Sequence, residues 1–328
     1  MKFGYKVSLQ TETELCQTET SETINGVPTL TIKKKECIED GKIGTYPYYS
    51  GNSWRGIFHR NIAKNIIEDG VNCNLKPVDY HLNYAGGGSN YQIQAFDTVS
   101  KLKELNPIIS MFGASLAVEG KLMVTNFEPT DKFWRDGKEG FRYSGLRGVV
   151  SYTKKDDLLT TGSVDSIKVV SDEDKEEYLE MNADIQEARA NARVKKDESA
   201  DKIKKANIQA FNKAECIIIG ANLVGYLGAK DELTDVEYGM MLRGLELMAK
   251  EQLGGIRNKG YGVVSYTISK EDNNSSRDVI VSSKNELDIF NPIVETFYND
   301  EERKCIKDFE EWLNSASIEN FEVSKLLV

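Results

Sequence analysis

Apolar and polar residues alternate over residues 6–13, the period-two pattern of a strand with one buried face. A long polar stretch follows, from 14 to about 45, with a second strand expected at 28–33. After Ser53 the period lengthens to that of a helix. Trp54, Ile57, Phe58, Ile62 and Ile66 share one face, and Asp69-Gly70 is the expected stop. Arg55 and His59 on this helix are four apart, as are Arg60 and Lys64, so cations run in rows beside the buried face. Strand-like patterns recur at 120–128 and, buried, at 215–220. Thr234-Asp235-Val236-Glu237 is a capping box that opens a second helix. Its Met240, Met241, Leu245 and Met248 form a stripe read as core packing rather than a binding site. That helix ends at Gly254-Gly255, a strand returns over 262–267, and 300–313 reads as an acidic amphipathic helix.

The order is strand, helix, strands, strand, helix, glycine loop, strand. It predicts an α+β chain with the β-α-β-β-α-β logic of a ferredoxin-like or RRM-like core carrying long insertions. The whole chain, 1–328, is then a single RRM-like domain. One insertion falls at about 170–210, where residues 172–205 are dominated by Asp, Glu, Lys, Arg and Ala.

Composition removes several function classes. Five cysteines without a C-x-x-C pair and two histidines argue against a structural zinc site, and no cofactor is expected. No apolar run approaches a membrane span and the start lacks a signal-peptide pattern, so a cytoplasmic chain is expected. A net charge of −10 excludes a generic nucleic-acid coat, and any basic groove must be local.

Two distant segments carry candidate chemistry. Ser50-Gly51-Asn52-Ser53-Trp54-Arg55-Gly56-Ile57-Phe58-His59-Arg60 is a tight turn running into a basic helix. Leu253-Gly254-Gly255-Ile256-Arg257-Asn258-Lys259-Gly260-Tyr261-Gly262 is a glycine-rich loop between a helix and a strand. Both offer backbone N–H groups and cations at an element boundary, which suits a sugar–phosphate backbone. A nucleotide-enzyme phosphate loop follows a strand and opens a helix; the second segment does the reverse. Further cations stand at Lys33, Lys34 and Lys35. Arg142, Arg147, Lys154 and Lys155 are interleaved with Phe141, Tyr143 and Tyr152, and Gly86-Gly87-Gly88 marks another loop.

The turn Ser50-Gly51-Asn52-Ser53-Trp54-Arg55-Gly56 resembles the P-G-S-S-L-K-G turn of the RAMP superfamily, RNA-binding proteins of CRISPR effector complexes. Met111-Phe112-Gly113 resembles its L-F-G segment, and residues 254–262 its G-G-x-x-x-x-G-Y-G loop, in family order. Length and single motif copies are most similar to the backbone subunit, the Cas-seven family. The resemblance implies a palm that holds guide RNA, thumb and finger elements at about 70–160, and several copies in a head-to-tail filament. It also implies other effector subunits as partners, and target nucleic acid reached by way of the guide. Site residues follow from the matched motifs and nearby cations. They are Lys34, Lys35, Asn52, Ser53, Arg55, His59, Arg60, Lys64, Arg142, Arg147, Gly254, Gly255, Arg257, Asn258 and Lys259.

RNA-cleaving relatives carry an aspartate upstream of the turn. Lysines fill the corresponding position here, and Asp40 fits only with a shifted gap, so no cleavage is expected and the type IV branch is nearest. Two other readings stay open. One is a RAMP endoribonuclease using Asp40, Glu39 or His59. The other is an interaction protein that copies a backbone subunit without holding a guide.

Overall fold

The computed structural model describes residues 4–24, 27–39, 42–86, 96–114, 118–130, 146–154, 210–270, 279–284 and 291–326. Asp40, Arg142, Gly87, Gly88, Lys155 and the charged stretch 172–205 lie outside these. The chain divides into two compact units. One comprises Met1–Glu19, Thr31–Gly148 and Glu215–Val328, the other Thr20–Leu30 and Val149–Ala214.

In chain order the strands are β1 (Gly4–Thr11), β2 (Thr18–Ile24), β3 (Val27–Ile32), β4 (Lys34–Glu39), β5 (Lys42–Pro47), β6 (Leu122–Val124), β7 (Glu128–Pro129), β8 (Arg147–Lys154), β9 (Ala210–Ile217), β10 (Asn222–Ala229), β11 (Val264–Lys270), β12 (Val279–Lys284) and β13 (Ile293–Thr296). Among the described residues the α-helices are α1 (Gly51–Lys64), α2 (Pro77–Ala85), α3 (Phe96–Leu105), α4 (Pro107–Phe112), α5 (Asp235–Met248) and α6 (Asp300–Ser315). The protein is thus α+β, as its residue pattern predicts.

The larger unit is built on a seven-stranded antiparallel sheet ordered β13-β12-β11-β1-β10-β6, with β7 also on β10. β1 is central, Lys6 facing Tyr226 on one side and Ser269 on the other. The alternation read in the sequence puts Tyr5, Val7, Leu9 and Thr11 inward, while Lys6 and Ser8 stay half-buried on the other face. The inward row joins one core with Trp54, Phe58 and Ile62 of α1 and Met240, Met241, Leu245 and Met248 of α5. Each such large side chain taken fully from water contributes about 1.5–3 kcal/mol. In the smaller unit, β3 and β9 run parallel, with Thr29 beside Lys213 and Leu30 beside Ala214.

The capping box read from sequence at the start of α5 is formed as expected. Thr234 Oγ1 accepts from Glu237 N–H at 3.2 Å while Glu237 Oε2 accepts from Thr234 N–H at 2.8 Å. Asn299 and Glu302 make the same reciprocal pair at the start of α6. The first helix does not stop at Asp69-Gly70. It continues as a π-helical segment over Asn65–Val71 and ends at Asn72, whose φ of 51° and ψ of 54° are left-handed. Asn is the non-glycine residue best suited to that conformation, and Gly70 instead lies beneath Leu313 of α6.

α5 and α6 cross so closely that a Cβ on Gly239 would stand 2.0 Å from the Cys305 carbonyl oxygen. Backbone cannot yield as a flexible side chain does. Gly239→Ala is therefore expected to destabilise the fold by about 3 kcal/mol, read as a lowered urea midpoint at unchanged slope.

Candidate polyanion-binding site

The turn before α1 is held from outside the helix. Tyr49 and Phe127 exchange backbone hydrogen bonds at 3.0 and 2.9 Å. Ser50 N–H donates to Gln17 Oε1 at 2.7 Å and Gly51 N–H to Asn126 Oδ1 at 3.0 Å. Gln17 Nε2 in turn donates to Ser53 Oγ. An aromatic cluster lies underneath: Trp54 is 5.0 Å from Phe58 and 5.7 Å from Phe127, centroid to centroid. The N–H groups of Asn52 and Ser53 have no partner among the described residues, and Asn52 is exposed. They stand at the positive end of the helix dipole.

The two cation rows of α1 part company. Arg55 turns inward, its Nη2 donating to the Phe112 carbonyl at 2.5 Å and its guanidinium 5.7 Å from the Phe112 ring. Burial pulls its pKa below the usual guanidinium value. His59 lies in the same row, stacked on Phe112 at 4.4 Å with ring planes 6° apart. It is buried, and Nε2 has no partner among the described residues. Burial above all, with Arg55 and Arg60 nearby, lowers its pKa to about 4 despite a hydrogen bond to the Asn83 backbone. His59 is thus neutral near pH 7 and packs as an aromatic ring. Arg60 and Lys64 are on the exposed face.

The buried histidine gives a pH signature. As pH falls from about 6.5, the unfolded chain takes up a proton that the folded His59 refuses until about 4. Its effect on stability is nil above that window and costs about 3 kcal/mol across it on acidification. His59→Gln is expected to flatten the urea midpoint against pH between these values; an unchanged profile would exclude His59 as the source.

The glycine-rich loop is closed at its ends and tied to the segments around Glu14, Cys16 and Tyr49. Leu253 N–H donates to the Gly262 carbonyl at 2.8 Å, and Gly262 N–H to the Glu14 carbonyl at 2.9 Å. Gly254 N–H donates to the Tyr49 hydroxyl at 3.3 Å, and Gly255 N–H to the Cys16 carbonyl at 2.7 Å. The Gly254 and Gly255 N–H groups assigned from sequence to a ligand are therefore used in anchoring the loop to Tyr49 and Cys16. Between them the chain makes a short 3-10 turn, Arg257–Lys259, preceded by Ile256 at φ 61°, ψ 25°. A left-handed residue followed by a right-handed one aims successive N–H groups into one concavity, the geometry of an anion nest. Here these are the N–H groups of Ile256, Arg257 and Asn258, which have no partner among the described residues. Arg257 Nη1 reaches the Gln252 carbonyl at 3.4 Å and Glu251 at 3.6 Å, steadying the cation beside the nest. Asn258 and Lys259 are exposed.

Tyr49 joins the two segments. Burial pushes its hydroxyl up to about 12, opposed by the Gly254 N–H and by the positive charges of Arg257 and then Arg60. The loop cation and the outward helix cation thus act on one hydroxyl at the helix start. Sequence inspection missed Tyr49 and Gln17. Tyr49 stands next to the turn but carries no charge, and Gln17 belongs to a polar stretch without pattern.

The other sequence candidates are spoken for by acids. Lys34 pairs with Glu215 at 3.0 Å, and Arg147 reaches the same carboxylate at 3.6 Å. Ile32 N–H also donates to Glu215, at 3.1 Å. Lys35, on the opposite face of β4, pairs with Glu128 and lies 5.5 Å over the Tyr48 ring. Among the described residues no group of His, Cys, Asp and Glu could hold a metal ion, and no helix is long and apolar enough to cross a membrane.

Fold and site together define a class: an α+β protein whose first helix and glycine loop present cations and N–H groups suited to successive anions. The chain matches no protein-family model and no curated protein. It is similar to a chain of a solved Type IV-B CRISPR complex, with 17% identity over 84% of this chain and 92% of that chain and a TM-score of 0.51. At this identity the likeness establishes the fold alone.

Proposed function

We propose that this chain is a non-catalytic, guide-RNA-binding backbone subunit of a CRISPR effector complex, nearest the type IV branch. The observation that carries the reading is the Gly254 N–H bond to the Tyr49 hydroxyl, which ties the glycine loop and its Ile256–Asn258 nest to the start of α1, with Arg60 and Arg257 exposed on the two segments. A sugar–phosphate chain presents anions at regular intervals and needs such a row of cations and N–H groups. The resemblance of both segments to RAMP motifs, and a shared fold with a chain of a Type IV-B CRISPR complex, support the same conclusion.

The palm in this proposal is RRM-like. β1, α1, β6, β10, α5 and β11 follow the β-α-β-β-α-β order, and the sheet order β11-β1-β10-β6 agrees with it. Copies of the subunit line up head to tail along the guide with other effector subunits, in the cytoplasm. Contacts to phosphate and sugar read no sequence, so specificity passes to pairing between guide and target. With a net charge of −10, the rest of the surface repels RNA and leaves the groove as the place of contact. A catalytic use of His59 gains nothing from its buried, stacked position.

Photocrosslinking the full chain to a labelled single-stranded RNA tests the site. Crosslinked peptides from α1 and residues 254–260 are expected, with the RNA intact on a denaturing gel. Crosslinks confined to other surfaces would overturn the site, and RNA cut by wild type but not by Asp40→Ala would overturn the non-catalytic role.

A further inference from the structure

Beneath the glycine loop lie two thiols that the proposed RNA site does not use. Leu15 and Ile217 exchange backbone hydrogen bonds at 3.0 and 2.9 Å, an antiparallel hydrogen-bonded pair. They keep the register of Gln10 opposite Asn222, one strand five residues further on and the other five residues back. The next pair along is Cys16 and Cys216, and in an antiparallel ladder it falls at a non-hydrogen-bonded position. The Cys16 carbonyl agrees, because it accepts from Gly255 rather than from the opposite strand. Directly opposed residues put their side chains on one face, and at such positions the Cα atoms are about 4.5 Å apart. A disulfide spans about 4.4–6.8 Å, so the bridge fits at the tight end of its range, where it is readily reduced again.

We infer that Cys16 and Cys216 are a reversible oxidation site that forms a cross-strand disulfide and loosens the floor of the glycine loop. The register sets the two thiols face to face, and their interaction pulls the Cys216 thiol below its usual pKa and pushes Cys16 above its own. Cys216 is therefore the first nucleophile. Both are buried, which favours a small neutral oxidant of the hydrogen peroxide class over a protein disulfide. The Cys216 thiolate attacks one peroxide oxygen, the O–O bond breaks, and the departing hydroxide is protonated to water. Cys16 sulfur then attacks the Cys216 sulfenic sulfur; the S–S bond forms, the S–O bond breaks, and a second water leaves with the Cys16 proton. Two thiols lose two electrons and one peroxide becomes two waters.

The consequence reaches the loop through Cys16. Its carbonyl holds Gly255 N–H, and a Cβ on Gly254 would stand only 2.2 Å from it. A bridge favours a wider Cα separation than this pair has, so forming it shifts Cys16 and with it the surface on which the loop is closed. Any effect on RNA affinity rests on the proposed function; the bridge and the loosened loop do not.

The test treats the full chain with hydrogen peroxide, maps non-reduced peptides by mass spectrometry, and follows trypsin cleavage after Arg257 and Lys259. A peptide joining Cys16 to Cys216, abolished by thiol reductant and absent in Cys216→Ala and Cys16→Ala, is expected. So is cleavage faster by about tenfold, consistent with about 1.4 kcal/mol of lost loop stability. No such peptide while other cysteines oxidise would overturn the bridge, and a bridged chain cleaved at the reduced rate would overturn its link to the loop. Reduced protein that fails to bind RNA would count against the proposed function and leave the bridge standing.

Discussion

Gly262→Ala is expected to destabilise the chain by about 3–5 kcal/mol, enough to leave much of it unfolded. Gly262 has a φ of +84°, and a Cβ there would stand 1.8 Å from the Leu253 carbonyl oxygen. That oxygen cannot retreat, because Leu253 N–H is bonded to the Gly262 carbonyl and Leu253 is fully buried. Gly220 supplies an internal control with the same kind of backbone: its φ is +79°, and nothing lies within 4 Å of a Cβ built on it. Gly220→Ala therefore meets the left-handed penalty without the clash, about 1 kcal/mol. Urea unfolding of the two variants separates strain from collision. Equal losses would mean that the closure of the loop at Leu253 and Gly262 contributes nothing of its own.

Arg60→Ala with Arg257→Ala is expected to weaken binding to single-stranded RNA by at least about tenfold at moderate salt and to flatten its salt dependence. Each phosphate contact removed lowers the slope of log affinity against log salt by about 0.7 on a single strand, so two contacts lower it by about 1.4. Both residues are exposed, so the loss reads contact rather than folding. Lys304→Ala, an exposed cation on α6 paired with Asp235, is the control and is expected to leave the slope unchanged. Arg55→Ala is a poorer probe than its place in the motif suggests. Its guanidinium holds the Phe112 carbonyl, and its loss leaves an unmet acceptor in a partly buried place. Equal wild-type and double-variant affinities at two salt concentrations would remove Arg60 and Arg257 from the site.

What the sequence makes legible is local. The alternation of β1, the apolar face of α1, the Thr234–Glu237 box and the glycine loop each depend on neighbours within a few residues, and each stands in the structure. The strands β2 and β4 of the polar stretch carry no sequence signal because their residues are largely Thr, Glu and Lys, and β5 is interrupted by Gly44 and ends on Pro47; none shows the apolar alternation that marks a half-buried strand. The end of the first helix was misplaced because Asp69-Gly70 carries the usual stop signal, while packing against Leu313 extends the turn to Asn72.

Side-chain direction was the least readable property of the site. Helical spacing put Arg55 and His59 in one row and Arg60 and Lys64 in another, and it gave both rows the same value. The difference comes from Phe112, far along the chain, which draws one row inward. Likewise Lys34 and Arg147 meet only because Glu215 lies between them, a pairing no local pattern records. The nest at Ile256 leaves no sequence signal for another reason: a branched residue in a left-handed conformation is uncommon.

The most direct test of the account is equilibrium binding of the purified chain to labelled single-stranded RNAs of increasing length, with bound species counted by mass. Bound copies that increase stepwise with RNA length, with affinity rising cooperatively and the RNA intact, are the predicted result. Absence of binding at low salt, or a single copy bound regardless of length, would contradict it.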